Sequence, residues 1–338
     1  MKSSNAVLLL LSLSSPMPVV AQVPPSLDVI RQRDLAAQAQ LLMKWWPGQY
    51  DNHEQIVRQS GGGLSKPLET PFRRVHTVVR PITVPTLGKN ILSVVQYGGP
   101  DQSSVLKSEL LIIVSDPKAQ ALRATRYSVD PSRLADSGTT SLTMKDLAPL
   151  SADCDLLIKF AGSQFDGRLA SGSCKDKGGV ANYQFLLGEN QMWERAEART
   201  PRTRALVWEM APGTGFDWYQ QTRARPFTCN IFENADGIMA KTAYLKTIHL
   251  HDQGGASDIE WPDGRTLTFT IHTRAFSSTP DRQYPLFRIH EKGNPVPIAY
   301  AYSVDQTKRF GLNLGWFYIR CYEDGDIAPL DMLEAVRR

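Results

Sequence analysis

The chain has 338 residues, of which 42% are hydrophobic and 21% are charged, and its formal net charge at pH 7 is +4. This length exceeds the usual size of one domain, so we expect two. The small net charge, without a concentrated basic stripe, gives no electrostatic case for nucleic-acid binding. We interpret the arginine-rich stretch from Arg195 to Arg225 as a solvated connector.

The first residues have the layout of a secretory signal peptide. Lys2 precedes an apolar stretch from Ala6 to Leu13, and a small-residue site ends at Ala21. The apolar stretch is shorter than the roughly 20 residues that cross a bilayer. The alternative to a cleaved signal peptide is an N-terminal anchor that is not cleaved. We therefore expect an exported protein, periplasmic or secreted, that is cleaved near Ala21 and has no stable membrane span.

A helix is predicted next, after a linker and helix start over residues 22–34. Leu35, Ala39, Leu42 and Trp46 recur at steps of four, three and four, which places them on one helical face. The pair Pro47-Gly48 ends this helix.

Strands then follow with little interruption. Residues 73–81 alternate, with Val75, Thr77 and Val79 on one face. Further strands are predicted at residues 91–97, 110–114, 122–129, 154–160, 165–170, 180–187, 191–196, 206–210 and 216–222. Many antiparallel strands joined by short turns predict a sandwich or a barrel. A barrel removes exposed strand edges, and one of about eight to ten strands leaves room for a ligand.

A second group of strands follows the connector at residues 222–226, namely 243–250, 265–275, 285–290, 296–302 and 314–322. The fold class is therefore mainly β, with a lipocalin-like antiparallel β barrel after one helix and then a second small all-β domain. The expected organisation is a signal peptide (1–21), the linker (22–34), the barrel domain (35–222), the C-terminal β domain (223–330) and a tail (331–338).

The four cysteines allow three disulfide pairings. The favoured pairing joins Cys154 to Cys174 and Cys229 to Cys321, because each disulfide then lies within one proposed domain. A zinc site is the alternative, although no CxxC pair is present.

Motifs for chemistry are sparse. The sequence has no nucleophile elbow, Walker loop, dinucleotide fingerprint or HExxH. His249, His251 and Asp252 invite a metal interpretation, since residues i and i+2 of a strand share a face. Asp252 would point to the other face and no third ligand is evident, so a polar face beside a turn is the favoured interpretation and no metal is predicted.

One polar patch could line the mouth of the barrel. Arg74, His76 and Arg80 share a strand face, and neighbouring strands add Gln96, Tyr97, Arg126 and Tyr127. Guanidinium groups bind carboxylates bidentately, and a histidine or tyrosine can donate a proton. The alternative is that this patch faces water.

The segment from Trp46 to Gln55 resembles the opening motif of the CpcT/CpeT family of phycobiliprotein chromophore lyases. Gly48, Tyr50 and Asn52, with Gln55, stand at the spacing of that motif. Further matches follow in order over residues of about 35 to 222: His76 with Arg80-Pro81, Gln96-Tyr97, Arg126-Tyr127, Cys154-Asp155, Phe165-Asp166-Gly167, Cys174 and Trp193-Glu194-Arg195.

The resemblance implies a lipocalin-like barrel, often dimeric, that holds a linear tetrapyrrole (a bilin) and delivers it to a cysteine of an acceptor protein. Arg74, Arg80 and Arg126 would then meet the propionates. The candidate catalytic residues are His76, Tyr97 and Tyr127, which would supply hydrogen bonds or a proton.

Two departures from that family affect the functional prediction. The signal peptide argues against a phycobiliprotein substrate, because phycobiliproteins assemble in the cytoplasm, and the C-terminal domain is additional. We therefore predict an exported barrel that binds a small apolar or tetrapyrrole-like ligand, with no certain cofactor. The alternatives are a chromophore lyase acting on an acceptor protein, and a structural or interaction protein whose barrel is filled by its own side chains.

Overall fold

The structure is a computed structural model that describes residues 34–59, 73–85, 87–99, 104–134, 142–176, 178–210, 217–234, 242–276, 279–294, 296–302 and 309–324. The predicted signal peptide, the linker up to residue 33 and the tail at 331–338 lie outside the described residues. None of the helices in the described part of the chain is long and apolar enough to cross a membrane.

The first element is the helix α1 (Leu35–Trp45), as the apolar spacing predicts. Its N-cap is Asp34, whose carboxylate accepts hydrogen bonds from the amides of Ala36 and Ala37 at 3.1 and 3.0 Å. A short acceptor side chain at this position satisfies amides that have no partner within the helix. The helix ends just before Pro47, as its sequence predicts.

A closed antiparallel barrel of ten strands follows in the described part of the chain. The strands up to residue 223 are β1 (Gly48–Asp51), β2 (Val75–Pro81), β3 (Ile91–Gly98), β4 (Ser104–Asp116), β5 (Ala121–Ser128), β6 (Ala148–Pro149), β7 (Leu156–Ala161), β8 (Gln164–Leu169), β9 (Lys175–Asp176), β10 (Gly179–Leu187), β11 (Gln191–Arg199), β12 (Leu206–Glu209) and β13 (Tyr219–Arg223). A short helix α2 (His53–Gln59) joins β1 to β2.

The ring runs β1-β2-β3-β4-β5-β7-β8-β10-β11-β13, and β13 pairs with β1 to close it. The three short strands β6, β9 and β12 pair with β5, β10 and β11. This topology confirms the predicted fold class, and a closed ring removes the unpaired edges of its strands.

Helix α1 fills one end of the barrel. Its buried residues share one hydrophobic cluster with inward-facing residues of the strands. Trp45 contacts Phe165 edge-on, with ring centroids 5.9 Å apart, and Trp46 stacks on Phe185 at 4.8 Å. Gly167 lies opposite Phe185 on the neighbouring strand. A glycine is required there because the Phe185 ring occupies the space that a side chain at residue 167 would fill.

The outer face of β3, β4 and β5 carries a separate apolar cluster. Residues from the 129–147 region pack over it, including Val129, Leu134 and Leu147. Within that region, short 3-10 turns lie at Pro131–Leu134 and Met144–Asp146. The outer face of this part of the barrel is therefore covered by the chain itself.

Two four-stranded antiparallel sheets follow the barrel, in the orders β15-β14-β21-β20 and β16-β17-β18-β19. Their strands are β14 (Pro226–Asn234), β15 (Thr242–His251), β16 (Gln253–Glu260), β17 (Thr266–Phe276), β18 (Thr279–Glu291), β19 (Pro297–Tyr302), β20 (Arg309–Asn313) and β21 (Phe317–Glu323). Both sheets contribute to one apolar core that contains Phe227, Phe269 and Phe317. The region is all-β, while the exact domain boundaries stay a prediction.

Both predicted disulfides are present. Cys154 pairs with Cys174, and Cys229 joins the adjacent strands β14 and β21 through Cys321. All four cysteines of the sequence are therefore used, and none is a free thiol. Disulfides form and persist in oxidising compartments, which is consistent with the expected export.

Candidate ligand site in the barrel

The barrel is hollow beyond the part that α1 fills. A cavity of about 810 Å³ lies there, within the range of roughly 300–1,000 Å³ that ligand sites of proteins occupy. The apolar side chains of its wall include Val75, Leu106, Ala181, Ala196, Leu206, Val207 and Met210. Three of these are surface-accessible at the mouth, since Leu106, Leu206 and Val207 are 40–45% exposed. Polar side chains also line the wall, namely Ser108, Ser128, Asn182, Glu197 and Glu209.

A layer of polar side chains crosses the barrel between this cavity and the α1 end. We call it the charged floor, and it consists of Lys107, Glu109, Arg126, Tyr183 and Glu194. The first four line the large cavity, and all five also line a small void of about 10 Å³ that Trp46 borders on the other side. The floor thus separates a hollow half of the barrel from a filled half.

Ion pairs and hydrogen bonds hold the floor together. The Lys107 ammonium lies 3.2 Å from Glu194 Oε1, and the Arg126 guanidinium lies 2.5 Å from Glu109 Oε1. The Tyr183 hydroxyl donates to Glu194 Oε1 at 2.6 Å. Both cations also lie over the Tyr183 ring, Lys107 at 5.2 Å and Arg126 at 5.5 Å from its centroid.

Glu194 also accepts hydrogen bonds from side chains on two further strands. Gln96 and Gln221 donate to its Oε2 at 2.8 and 2.9 Å. The Thr77 hydroxyl donates to Gln221 Oε1 at 2.7 Å and accepts from Gln96. Both oxygens of this buried carboxylate are therefore satisfied, which removes most of the cost of burying it.

The electrostatics of the floor fix its protonation states. Burial alone would raise the pKa of Glu194, but the Lys107 charge and the hydrogen bonds it accepts hold that pKa below its usual value. Burial would also raise the pKa of Glu109, but the charges of Arg126 and Lys107 lower it. The net result is a pKa below the usual value. Burial and the Glu194 charge raise the pKa of Tyr183 well above its usual value. At neutral pH the floor holds two carboxylates, two cations and a protonated phenol, so it is charge-compensated.

The predicted site residues divide into three groups in the structure. Gln96 and Arg126 line the cavity. Arg80 is exposed on the outer face of β2, while Tyr97 and Tyr127 pack in the apolar cluster outside the barrel.

Arg74 and His76 lie where the barrel meets the C-terminal sheets. Arg74 pairs with Asp51 at 3.1 Å and donates to the carbonyls of Gln253 and Gly254 at 2.7 and 2.8 Å. The same Asp51 carboxylate lies 3.1 Å from His76 Nδ1. Arg74 therefore joins β16 to the barrel by two bonds to its backbone.

Four histidines meet at this contact, and we call His53, His76, His251 and His272 the histidine cluster. His76 stacks on His251 with ring centroids 5.0 Å apart, and His53 lies 5.1 Å from His272. Among the described residues, the ring nitrogens of His53 and His251 are buried without a hydrogen-bond partner. Burial, reinforced by the Arg74 charge, lowers the pKa of His53 to about 3. Burial is also the main cause that lowers the pKa of His251 to about 4.

No group of three or more metal-ligating side chains with suitable geometry exists among the described residues. The three residues that suggested a metal are placed apart. His249 is exposed beside Thr228, His251 belongs to the histidine cluster, and Asp252 pairs with Arg225 at 2.6 Å.

The residues of the opening motif have structural contacts. The Tyr50 hydroxyl donates to the carbonyls of Trp45 and Trp46 at the end of α1, at 2.9 and 3.0 Å. The Asn52 side chain accepts from the Val75 amide at 2.7 Å. Gln55 donates to the Trp218 carbonyl at 2.7 Å and so ties α2 to the start of β13.

Sequence reasoning missed four members of the floor, namely Lys107, Glu109, Tyr183 and Glu194. A signal was present in β4, where Lys107 and Glu109 alternate in register with the inward-facing Leu111 and Ile113. A charged residue on the buried face of a strand needs a partner inside the protein, and that requirement marks it as a site candidate.

No protein-family model matches the sequence, and neither does any curated protein. Among solved structures, a T-type phycobiliprotein lyase, CpeT, from Prochlorococcus phage P-HM1 aligns over 55% of this chain and 96% of its own, with 9% identity and a TM-score of 0.33. The CRL protein of Arabidopsis aligns over 56% of this chain and 98% of its own, with 14% identity and a TM-score of 0.41. At these scores the two likenesses carry no conclusion about function.

Proposed function

We propose that this protein binds a small, largely apolar ligand in the hollow half of its barrel. The observation that carries the proposal is the cavity of about 810 Å³, whose wall carries a group of apolar side chains above a polar floor. Ligand sites in proteins combine such a wall with a few placed polar groups that fix orientation. A barrel filled throughout by its own side chains would leave no such space.

A linear tetrapyrrole belongs to the ligand class that we propose. Gln96 and Arg126 are the predicted ligand-binding residues that face the cavity, so they are the groups we expect a ligand to meet. With both disulfides formed, the protein has no thiol for a covalent intermediate. This argues against an intermediate in which the ligand is linked to a cysteine of the protein.

We also propose that the protein works after export. The signal-peptide layout and the two disulfides support this together. Sequencing the amino terminus of protein recovered from the periplasm or the medium tests it, and we expect a new terminus near Gln22.

The cavity is tested by titrating the folded protein with N-phenyl-1-naphthylamine, an uncharged fluorophore that brightens in apolar surroundings. We expect saturable binding and its displacement by biliverdin. Ala196→Trp places a large ring in the cavity and should abolish the signal. The matched control is Ala161→Trp, which lies exposed at the end of a hairpin and should bind as the parent does.

Saturable binding that Ala196→Trp removes and Ala161→Trp keeps would support the proposal. Absence of binding by the parent protein, with both disulfides shown to be intact, would refute it. Equal binding by both variants would place the fluorophore somewhere other than the barrel, which also refutes the proposal.

A further inference from the structure

The charged floor also bears on which ligands the cavity accepts. Each floor cation already has a buried carboxylate as its partner, Lys107 with Glu194 and Arg126 with Glu109. Three of these four side chains are at most 11% exposed, and Lys107 is 21% exposed. The pairs are thus largely shielded from water and from salt.

A charged group on a ligand would find no favourable place on this floor. A carboxylate would approach Glu109 and Glu194 and would have to displace one of them from its cation. An ammonium group would meet Lys107 and Arg126 in the same way. Breaking a buried pair leaves an uncompensated buried charge, which is strongly unfavourable.

An uncharged polar group faces no such conflict. A hydroxyl, amide or carbonyl can donate to or accept from the floor without separating either ion pair. The wall above the floor carries apolar side chains among polar ones such as Ser128 and Asn182, and Leu106, Leu206 and Val207 are exposed at the mouth. The apolar part of a ligand would cover these side chains and remove them from water.

The charged residues at the rim of the cavity do not favour a ligand of either charge. Arg73 and Lys175 are exposed to solvent, where charges are strongly screened. On the acidic side, Glu197 is paired with Arg199 at 2.7 Å, and Glu209 also lines the cavity. Neither sign dominates around the cavity.

We propose that the cavity selects amphipathic molecules that are uncharged at their buried end, and that it discriminates against carboxylates and amines of the same skeleton. This inference rests on the proposed function, since it describes the ligand of the same cavity. It also predicts that a tetrapyrrole binds better when its propionates are esterified or directed towards solvent.

The test compares three competitors of equal chain length, 1-decanol, decanoate and decylamine, each displacing N-phenyl-1-naphthylamine at neutral pH. We expect decanol to displace the fluorophore at a concentration at least tenfold lower than either charged analogue. Biliverdin and its dimethyl ester form a second matched pair, and the ester should bind more tightly.

Two variants should reverse the preference. Glu109→Gln removes the partner of Arg126, so decanoate should gain at least tenfold relative to decanol. Lys107→Met removes the partner of Glu194, so decylamine should gain instead. The matched controls are Glu260→Gln and Lys159→Met, which alter exposed residues away from the cavity and should keep the parent ranking.

The outcomes separate the two proposals. If the fluorophore does not bind the parent protein, both the proposed function and this inference fail. If it binds and decanoate or decylamine competes as well as decanol, cavity binding stands and the charge selection is refuted. The ranking in the parent protein decides this even where a variant fails to fold.

Discussion

Acid should destabilise this protein through the histidine cluster. The ordinary histidine pKa is 6.5, and in the folded state burial lowers it to about 3 for His53 and about 4 for His251. Above about pH 6.5 neither the folded nor the unfolded chain protonates these rings, so their contribution to stability is complete. As the pH falls below that value the unfolded chain binds protons first, and the free energy of unfolding decreases until the folded pKa is reached.

The size of the effect follows from these values. At about pH 5, each ring costs about 2 kcal/mol relative to neutral pH, because one pKa unit corresponds to about 1.4 kcal/mol. Two rings give about 4 kcal/mol, a large share of the roughly 5–15 kcal/mol that stabilises an ordinary domain. The neighbouring Asp51 does not enter this window, since its pKa is lowered to about 2 and its contribution disappears only in stronger acid.

Urea unfolding at neutral pH and at about pH 5 measures this loss. In His53→Phe the loss should shrink by about 2 kcal/mol, because the ring no longer titrates and its nitrogens have no hydrogen bond to lose among the described residues. The matched control is His249→Gln, which alters an exposed histidine outside the cluster. An unchanged pH dependence in His53→Phe would refute the reasoning.

Two further predictions concern packing and cross-linking. Gly167→Ala should lower the free energy of unfolding by about 1–3 kcal/mol, because the added methyl group would overlap the Phe185 ring. Gly172→Ala, where the added methyl group meets open space, should change stability little in the same thermal and urea denaturation series. Replacing Cys229 and Cys321 together by alanine should cost about 4–5 kcal/mol, since the bridge closes a loop of 92 residues. Equal stability of the bridged and unbridged proteins in urea would contradict that expectation.

Local sequence patterns predict most of the barrel correctly. The alternation correctly groups Val75, Thr77 and Val79 on one face of β2, and the helix spacing identifies the buried face of α1. The predicted strands at 154–160 and 165–170 form an antiparallel pair, over residues 156–169. These features depend on neighbours in sequence, and a period of two or of 3.6 residues reports them directly.

Features that depend on distant partners could not be predicted in this way. The pattern at Gln253–Gly255 suggests a turn, yet these residues begin β16, where they pair with β17. Arg74 binds the carbonyls of Gln253 and Gly254 from the barrel. Alternation does place Arg74, His76 and Arg80 on one face of the strand. Whether that face is inside depends on how the ring closes, which local pattern does not report.

The same limit applies to the charged floor. Glu194 and Lys107 are 87 residues apart in sequence, so their pairing emerges only when the strands assemble. Arg126, in contrast, pairs with Glu109 across the directly connected strands β4 and β5 and lies within reach of a strand-pairing argument.

The seam between β1 and β13 has a consequence for how the chain folds. Tyr50 pairs with Arg223 across this seam, and the Arg223 guanidinium binds the Pro47 carbonyl at 2.6 Å, 176 residues away. Contacts between such distant positions slow folding, because a long loop must close before they form. During synthesis from the amino terminus, one edge of β1 and the Gln191–Glu194 edge of β11 thus lack their partner until β13, the last strand of the ring, emerges. That interval is when a nascent chain of this design is most exposed to aggregation and most dependent on chaperones.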